Sequence, residues 1–367
     1  MWPYWLLLAV PVVAAVLTFG GASQSLTAKT TQSSRTRTSD YRSLTIFAVI
    51  LALMVGWRHE VGGDWFNYLP SVDETLKMNW KEGLQFGGDP AYGMLTWLSA
   101  HLGLGIYGVN LICGAVFTSG LIVFTRSSPQ PWLALCIAVP YLVIVVAMGY
   151  TRQGVAIGLA MVGLVALHQG RMWSFALWLL AAALFHKSAL ILVPLAVFAG
   201  RKNWAAMLGV LSAGVLMVIL LLLDHIDNLV AGYIMDQYAS SGAHIRVAMN
   251  ALPATIFIVF RKRFGLTDAQ QAFWTWMSLG ALGFIPLLMI SPSSTAVDRV
   301  ALYWIPLQLF VWSRLPQAMG QGLGTQRQWL AVVLSYTVVV QFVWLFFADN
   351  SGAWIPYRFY PIKLLWS

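Results

Sequence analysis

The feature that most constrains this chain is a succession of apolar runs broken by single charges or short turns containing Gly or Pro. A bilayer-spanning helix takes about 20 largely apolar residues. Such runs follow one another at 2–20, 43–57, 105–125, 131–149, 153–168, 172–185, 187–200, 204–223, 245–260, 270–290, 300–313 and 329–347. These twelve runs predict an all-α, polytopic integral membrane protein, a single transmembrane domain over residues 1–367 with no soluble unit. Only 10% of residues are charged and 59% are hydrophobic, whereas soluble domains carry roughly 25% charged residues. A water-soluble fold is excluded. Eighteen Trp and thirteen Tyr suit a chain with two membrane interfaces, where amphipathic rings settle at the headgroup level.

Lys and Arg set the orientation, because cytoplasmic loops retain them. Residues 21–42 hold Lys29, Arg35, Arg37 and Arg42 beside one acid, Asp40, and read as a cytoplasmic loop. The first run has no basic region ahead of it and reads as a span, with the amino terminus outside. Alternation then gathers Arg126, Arg171, Arg201, Lys202, Arg261, Lys262, Arg263, Arg314 and Arg327 inside and leaves 58–104 and 224–244 as long outer loops. The formal charge of +9 is therefore a topological signal. It does not point to nucleic acid, since the longest basic cluster is Arg261 to Arg263. Joining 172–185 to 187–200 as one helix would export most of these arginines, so His186 and Lys187 mark a turn. About 14 helical residues rise only about 21 Å through a core of about 30 Å, which sets that turn below the outer surface. The turn at Gly149 to Arg152 has the same character. Within 58–104 the half-apolar stretch DPAYGMLTWLSAHLG is too short to span and suits the interface. Cys113 and Cys136 lie in apolar runs and read as packing residues, with no disulfide or metal-ligand spacing.

The notable polar residues converge on the outer face: Arg58, His59, Glu60 and Asp64 after the second run, Arg152 and Gln153, His186 and Lys187, Arg246, Asp298 and Arg299, and Tyr357 and Arg358 in the tail. Charges set into apolar segments are costly and face a cavity or a partner. Arginine suits a phosphate ligand, because its planar fork makes paired hydrogen bonds and its charge is permanent. Arg58, Arg152, Arg246 and Arg299, on four helix ends, can cradle a diphosphate, with Asp64, Asp298 or His186 as a base. Simpler readings stand beside these. Arg246 and Arg358 can pair with a lipid phosphate or a carboxylate, Lys187 can snorkel, His186 can bond a backbone carbonyl, Asp298 can pair with Arg299, and Gly62 with Gly63 can form a tight turn. No cofactor motif, phosphate loop or metal-ligand spacing is present in the sequence.

The residues Arg58, Val61, Gly62, Asp64 and Tyr68 fit R-x-x-V-G-x-D-x-x-x-Y, followed by Arg152-Gln153, H-K-S-A-L at His186 to Leu190, D-R-x-A-L-Y at Asp298 to Tyr303, and a late I-P-Y at Ile355 to Tyr357. In that order they resemble the EpsG-like polysaccharide polymerases of the broader Wzy-type class, over about residue 43 to the carboxyl end. Gly63 before Asp64 and Trp65-Phe66 after it are local features of this chain. The resemblance implies a GT-C-like membrane glycosyltransferase at the periplasmic face of the bacterial inner membrane. It would join oligosaccharide repeat units carried on undecaprenyl diphosphate, with that lipid-linked glycan as donor and acceptor and no cofactor. Arg58, Arg152, Arg299 and Arg246 would hold diphosphate, Asp64 or His186 would act as base or orient the acceptor, Tyr68 and Tyr357 would contact sugar, and Gln153, Lys187 and Asp298 would complete the site. A flippase and a chain-length regulator are the protein partners implied. The rivals are a flippase or transporter, which would need polar residues reachable from both faces, a glycan ligase using the same donor, and a membrane O-acyltransferase.

Overall fold

A computed structural model of the chain describes residues 1–19, 33–196, 209, 212 and 242–364, with side chains from residue 42 onward in the second helix. Within the described residues there is no strand, only an isolated antiparallel bridge between Arg58 and Phe359. Without water to bond to, backbone groups in lipid are satisfied inside helices. These are α1 (Trp2–Thr18), α2 (Ser33–Gly56), α3 (Trp65–Thr75), α4 (Trp80–Gln85), α5 (Pro90–His101), α6 (Gly105–Arg126), α7 (Pro131–Ala147), α8 (Thr151–His168) and α9 (Met172–Phe185). After them come α10 (Ala243–Phe260), α11 (Asp268–Ile290), α12 (Ser294–Ala301), α13 (Ile305–Met319), α14 (Leu323–Phe347) and α15 (Tyr360–Leu364).

Five of these, α6, α8, α10 with the turn that follows it, α11 and α14, are long and apolar enough to cross a membrane, consistent with a multi-pass membrane protein. The described residues therefore hold fewer full-length spans than the twelve apolar runs suggested, and the differences have physical causes. The run 300–313 is split by a tight turn at Leu302–Trp304 between α12 and α13. The run that begins at residue 187 opens as a short 3-10 helix, Lys187–Leu192, because His186 is extended (φ −160°, ψ 111°) and stops α9. Helix α2 begins at Ser33, within the segment expected to be a cytoplasmic loop. The outer segment 58–104 is itself helical, as α3, α4 and α5. Most of 204–223 and of the 224–244 segment, 197–200 at the end of the run 187–200, residue 20 of the first run and 21–32 of the 21–42 loop lie outside the described residues.

Helix α7 is the centre of the bundle. Every residue from Trp132 to Gly149 is buried, as expected for a helix apolar on all sides, and α1, α6, α13 and α14 pack around it. Its second half, Val139–Ala147, widens into a π-helix. Pro140 opens that stretch without an N–H to give. Helices α6 and α8 cross at glycines: a Cβ on Gly158 would lie 2.7 Å from the Phe117 Cα, so the two backbones meet directly.

The end of α7 carries the loop after α2. The Asp64 N–H donates to Gly149 O at 3.2 Å and the Gly62 N–H to Ala353 O at 2.8 Å. Gly62 has φ +110° and a Cβ there would collide with Met148 O. Gly62→Ala is therefore expected to destabilise the protein by more than about 1 kcal/mol, read as a lowered thermal midpoint in detergent. An unchanged midpoint would mean that the loop can move away.

The carboxyl-terminal segment clasps the same face, with the His59 N–H donating to Arg358 O at 2.9 Å and the Tyr360 N–H to Trp57 O at 2.8 Å. His59 Nδ1 lies 2.5 Å from the Tyr107 hydroxyl and Nε2 lies 2.6 Å from Lys363 Nζ. Burial first and Lys363 second hold the His59 imidazole below its ordinary value, with Glu60 opposing and Arg358 adding to the effect. The folded state thus binds fewer protons than the unfolded chain between those two pKa values. Its stabilisation is present above about pH 6.5 and is lost as pH falls through the folded value. Protection of residues 355–364 in hydrogen exchange is expected to drop on acidification in the wild type and not in His59→Gln; equal behaviour of the two would remove His59 as the cause.

Candidate functional site

The helix ends above Met148 and Gly149 bring several of the expected residues together. Arg152, second residue of α8, is the centre. Its Nη1 donates to Asp89 Oδ2 at 3.1 Å, and its guanidinium carbon lies 5.8 Å from the Tyr68 ring centre and 5.6 Å from that of Tyr92, within cation–π reach. The Arg152 side chain keeps 36% of its exposure while the Asp89 side chain keeps 4%. One face of the guanidinium is thus anchored and the rest is presented outward.

Asp89 sits one residue ahead of Pro90, where α5 starts, a position that favours helix entry. Besides Arg152 it faces His186, whose Nδ1 lies 3.7 Å from Oδ2, longer than a hydrogen bond. Asp89 Oδ1 and His186 Nδ1 are both buried without a hydrogen-bond partner among the described residues. Asp64, ahead of α3, accepts from the Tyr68 hydroxyl at 3.3 Å. Burial and the neighbouring Asp64 push the Tyr68 phenol up to about 12, against the pull of Arg152, so it stays a neutral donor at physiological pH. Burial likewise raises Tyr92. Arg299 lies over Tyr150, 3.9 Å from the ring centre, and Gln153 Nε2 holds the Arg299 carbonyl at 2.5 Å. Lys187 is partly exposed beside His186.

Other expected residues are placed elsewhere. Arg58 is 1% exposed. Its Nε donates to Val61 O at 3.1 Å, Nη1 to Val55 O at 2.5 Å, and Nη2 to Asn110 Oδ1 at 3.2 Å and Thr151 Oγ1 at 2.7 Å. It braces the end of α2 against α6 and α8 underneath the site. Arg246 and Asp298 are joined to each other by two bonds, Nε to Oδ1 at 2.5 Å and Nη2 to Oδ2 at 2.7 Å. The local pair of Asp298 with Arg299 therefore gives way to one between α10 and α12. The Tyr357 hydroxyl donates to Met54 O at 2.9 Å and its ring packs edge-on against Tyr4. Arg358 pairs with Glu60. Asp89, Tyr92 and Tyr150 were not among the sequence candidates. For Asp89 the signal was an acid next to Pro90 in an outer segment, which reads equally well as a helix start.

The EpsG family model matches residues 41–359. The chain belongs to the EpsG family. Membership gives it a polysaccharide polymerase-type role, with the chemistry of a glycosyltransferase-like polymerase. The EpsG match opens within α2 and closes at the residue bridged to Arg58, so it includes the whole site and leaves α1 outside. No curated protein and no solved structure matches the chain.

Proposed function

We propose that this EpsG protein polymerises oligosaccharide repeat units carried on undecaprenyl diphosphate, at the periplasmic face of the bacterial inner membrane. The observation that carries this reading is Arg152, a permanent cation anchored by Asp89 and two phenol rings and still open on its outer side. In the reaction the bond between the donor sugar C1 and its diphosphate oxygen breaks and a bond from C1 to the acceptor hydroxyl oxygen forms. Charge develops on the departing diphosphate, and fixed cations aimed at it stabilise the transition state. Arg152 and Arg299 supply that charge, with Lys187 at the rim. The proton of the acceptor hydroxyl passes to His186, whose Nδ1 faces Asp89 and whose Nε2 is left to accept it. Asp64 and Tyr68 orient the acceptor sugar. Arg58, Gln153, Tyr357 and the Arg246–Asp298 pair hold the helix ends in place.

The deciding experiment is glycan analysis of a strain lacking the gene. Single capped repeat units are expected, with polymer restored by the wild-type gene. Accumulation of lipid-linked polymer would make the protein a ligase instead, and unchanged surface polymer would end the proposal. Asp89→Asn keeps the shape of the side chain and removes the charge that aims Arg152 and His186. Activity is expected to fall roughly 10²-fold at normal protein level, with partial recovery in Asp89→Glu. Full activity in Asp89→Asn would leave the carboxylate without a positioning role.

A further inference from the structure

At the opposite end of the bundle α6, α10 and α13 finish around a cavity of about 550 Å³. The 22 residues of α6 set this end about 33 Å from the Tyr107 end. Three arginines from three separate helix ends line it: Arg126 closing α6, Arg263 in the turn after α10, and Arg314 in the last turns of α13. No described residue lining it is acidic, while Ser127, Ser128 and Gln317 add neutral hydrogen-bonding groups.

Arg314 is fixed in position. Its Nη1 donates to Ser128 Oγ at 3.2 Å and to Phe310 O at 3.3 Å, and its Nη2 to Ser127 O at 3.0 Å. The guanidinium carbon lies 4.1 Å from the Phe310 ring centre, and that ring stacks on Trp274 at 3.7 Å. Across the molecule the contrast is clear. Arg152, Arg246 and Arg358 are each placed by a carboxylate, whereas Arg314 is placed entirely by neutral acceptors and a ring. Its positive charge is therefore directed at the cavity without being neutralised by an acid among the described residues. Several arginine forks around one concavity match the oxygens of a phosphate group. The distribution of basic loops predicts that this end is cytoplasmic, where basic pockets between helices suit anionic phospholipid headgroups, and Pro129, Phe264 and Leu266 add an apolar wall.

We propose that this cavity is a second ligand site, distinct from the one around Arg152, and that it binds a phosphate group, supplied by the headgroup of an anionic phospholipid. A soluble phosphate ester has the same recognition chemistry, so the test separates the two sources. Delipidated full-length protein is reconstituted in nanodiscs of phosphatidylcholine alone or with phosphatidylglycerol or cardiolipin. In parallel, inorganic phosphate and pyrophosphate are titrated against the protein in detergent. Thermal midpoint and retained lipid by native mass spectrometry are read. The anionic lipids are expected to raise the midpoint and to remain as a discrete adduct. The double variant Arg126→Gln with Arg263→Gln alters two exposed side chains and is expected to weaken that binding about tenfold or more. Saturable protection by phosphate or pyrophosphate, lost in the double variant and absent with lipid, would keep the site and make its ligand soluble. No protection by either class, or a lipid adduct of unchanged affinity in a folded double variant, would overturn the proposal.

Discussion

Arg152→Ala is expected to lower polymer formation by about 10²–10³-fold, the effect of removing one preorganised charge from a developing anion. The substitution also strips Asp89, a 3% exposed carboxylate, of its cation, and a buried unpaired charge is itself costly. Protein level must therefore be measured alongside polymer length. The double variant Arg152→Ala with Asp89→Asn separates the two effects. If lost activity came only from the stranded carboxylate, the double variant would recover; if Arg152 stabilises the leaving diphosphate, it stays inactive while its thermal midpoint rises. Arg152→Lys should restore little, because an ammonium cannot reproduce a planar fork set between Tyr68 and Tyr92. Wild-type chain length in Arg152→Ala at normal abundance would remove the central cation from the mechanism.

The second large effect is on stability. Arg58→Ala deletes four hydrogen bonds and leaves Val55 O and Val61 O without the donor they have in the wild type, while Asn110 Oδ1 keeps the Thr151 hydroxyl. Buried acceptors left unpaired cost about 1–3 kcal/mol each, and the vacated volume adds to that. A loss of about 4 kcal/mol is a large share of the usual margin of 5–15 kcal/mol, so the variant is expected to be degraded or to melt far earlier. Activity per remaining folded molecule is the discriminating measurement. Near-normal specific activity supports the brace described above. A variant that keeps the wild-type midpoint and yet makes no polymer would instead show Arg58 to be a ligand of the substrate.

The membrane class and the gathering of several candidate residues at one end of the helices were legible in the sequence, because charge inside apolar runs is too expensive to be incidental. Arg152, His186, Asp64 and Arg299 are found that way, Tyr68 enters through the motif it shares with Asp64, and all five gather at the helix ends above α7. What each arginine faces was not legible. Arg58 and Arg152 have similar local settings, yet one guanidinium turns inward to carbonyls and the other outward past Asp89. That choice depends on the crossing of α6 and α8 at Gly158, which brings Asn110 to Thr151, and no spacing along the chain encodes it. Asp89 escaped notice because an acid in an outer segment has a cheap explanation as a solvated group, and only its burial removes that explanation. Five helices among the described residues are long and apolar enough to cross a membrane, and some other apolar runs fall short of that for a related reason. An apolar run shows that a segment is buried, and does not show that it is straight. The turn at Leu302–Trp304 interrupts a run that hydropathy treats as continuous, whereas the break at His186 was expected from the charges and is present as an extended residue.

The Tyr4 hydroxyl donates to Trp354 O at 2.7 Å, Gln341 Nε2 donates to Tyr4 O at 3.0 Å, and the Trp354 indole donates to Ile144 O at 2.7 Å. In the order of synthesis, the packing of α1 on α7 is available early, whereas both polar bonds to Tyr4 must wait until α14 and the segment beyond it have been translated. Ribosome-bound chains that stop before residue 341 should hold α1 by apolar contact alone, and addition of residues 341–354 should close the latch in one late step.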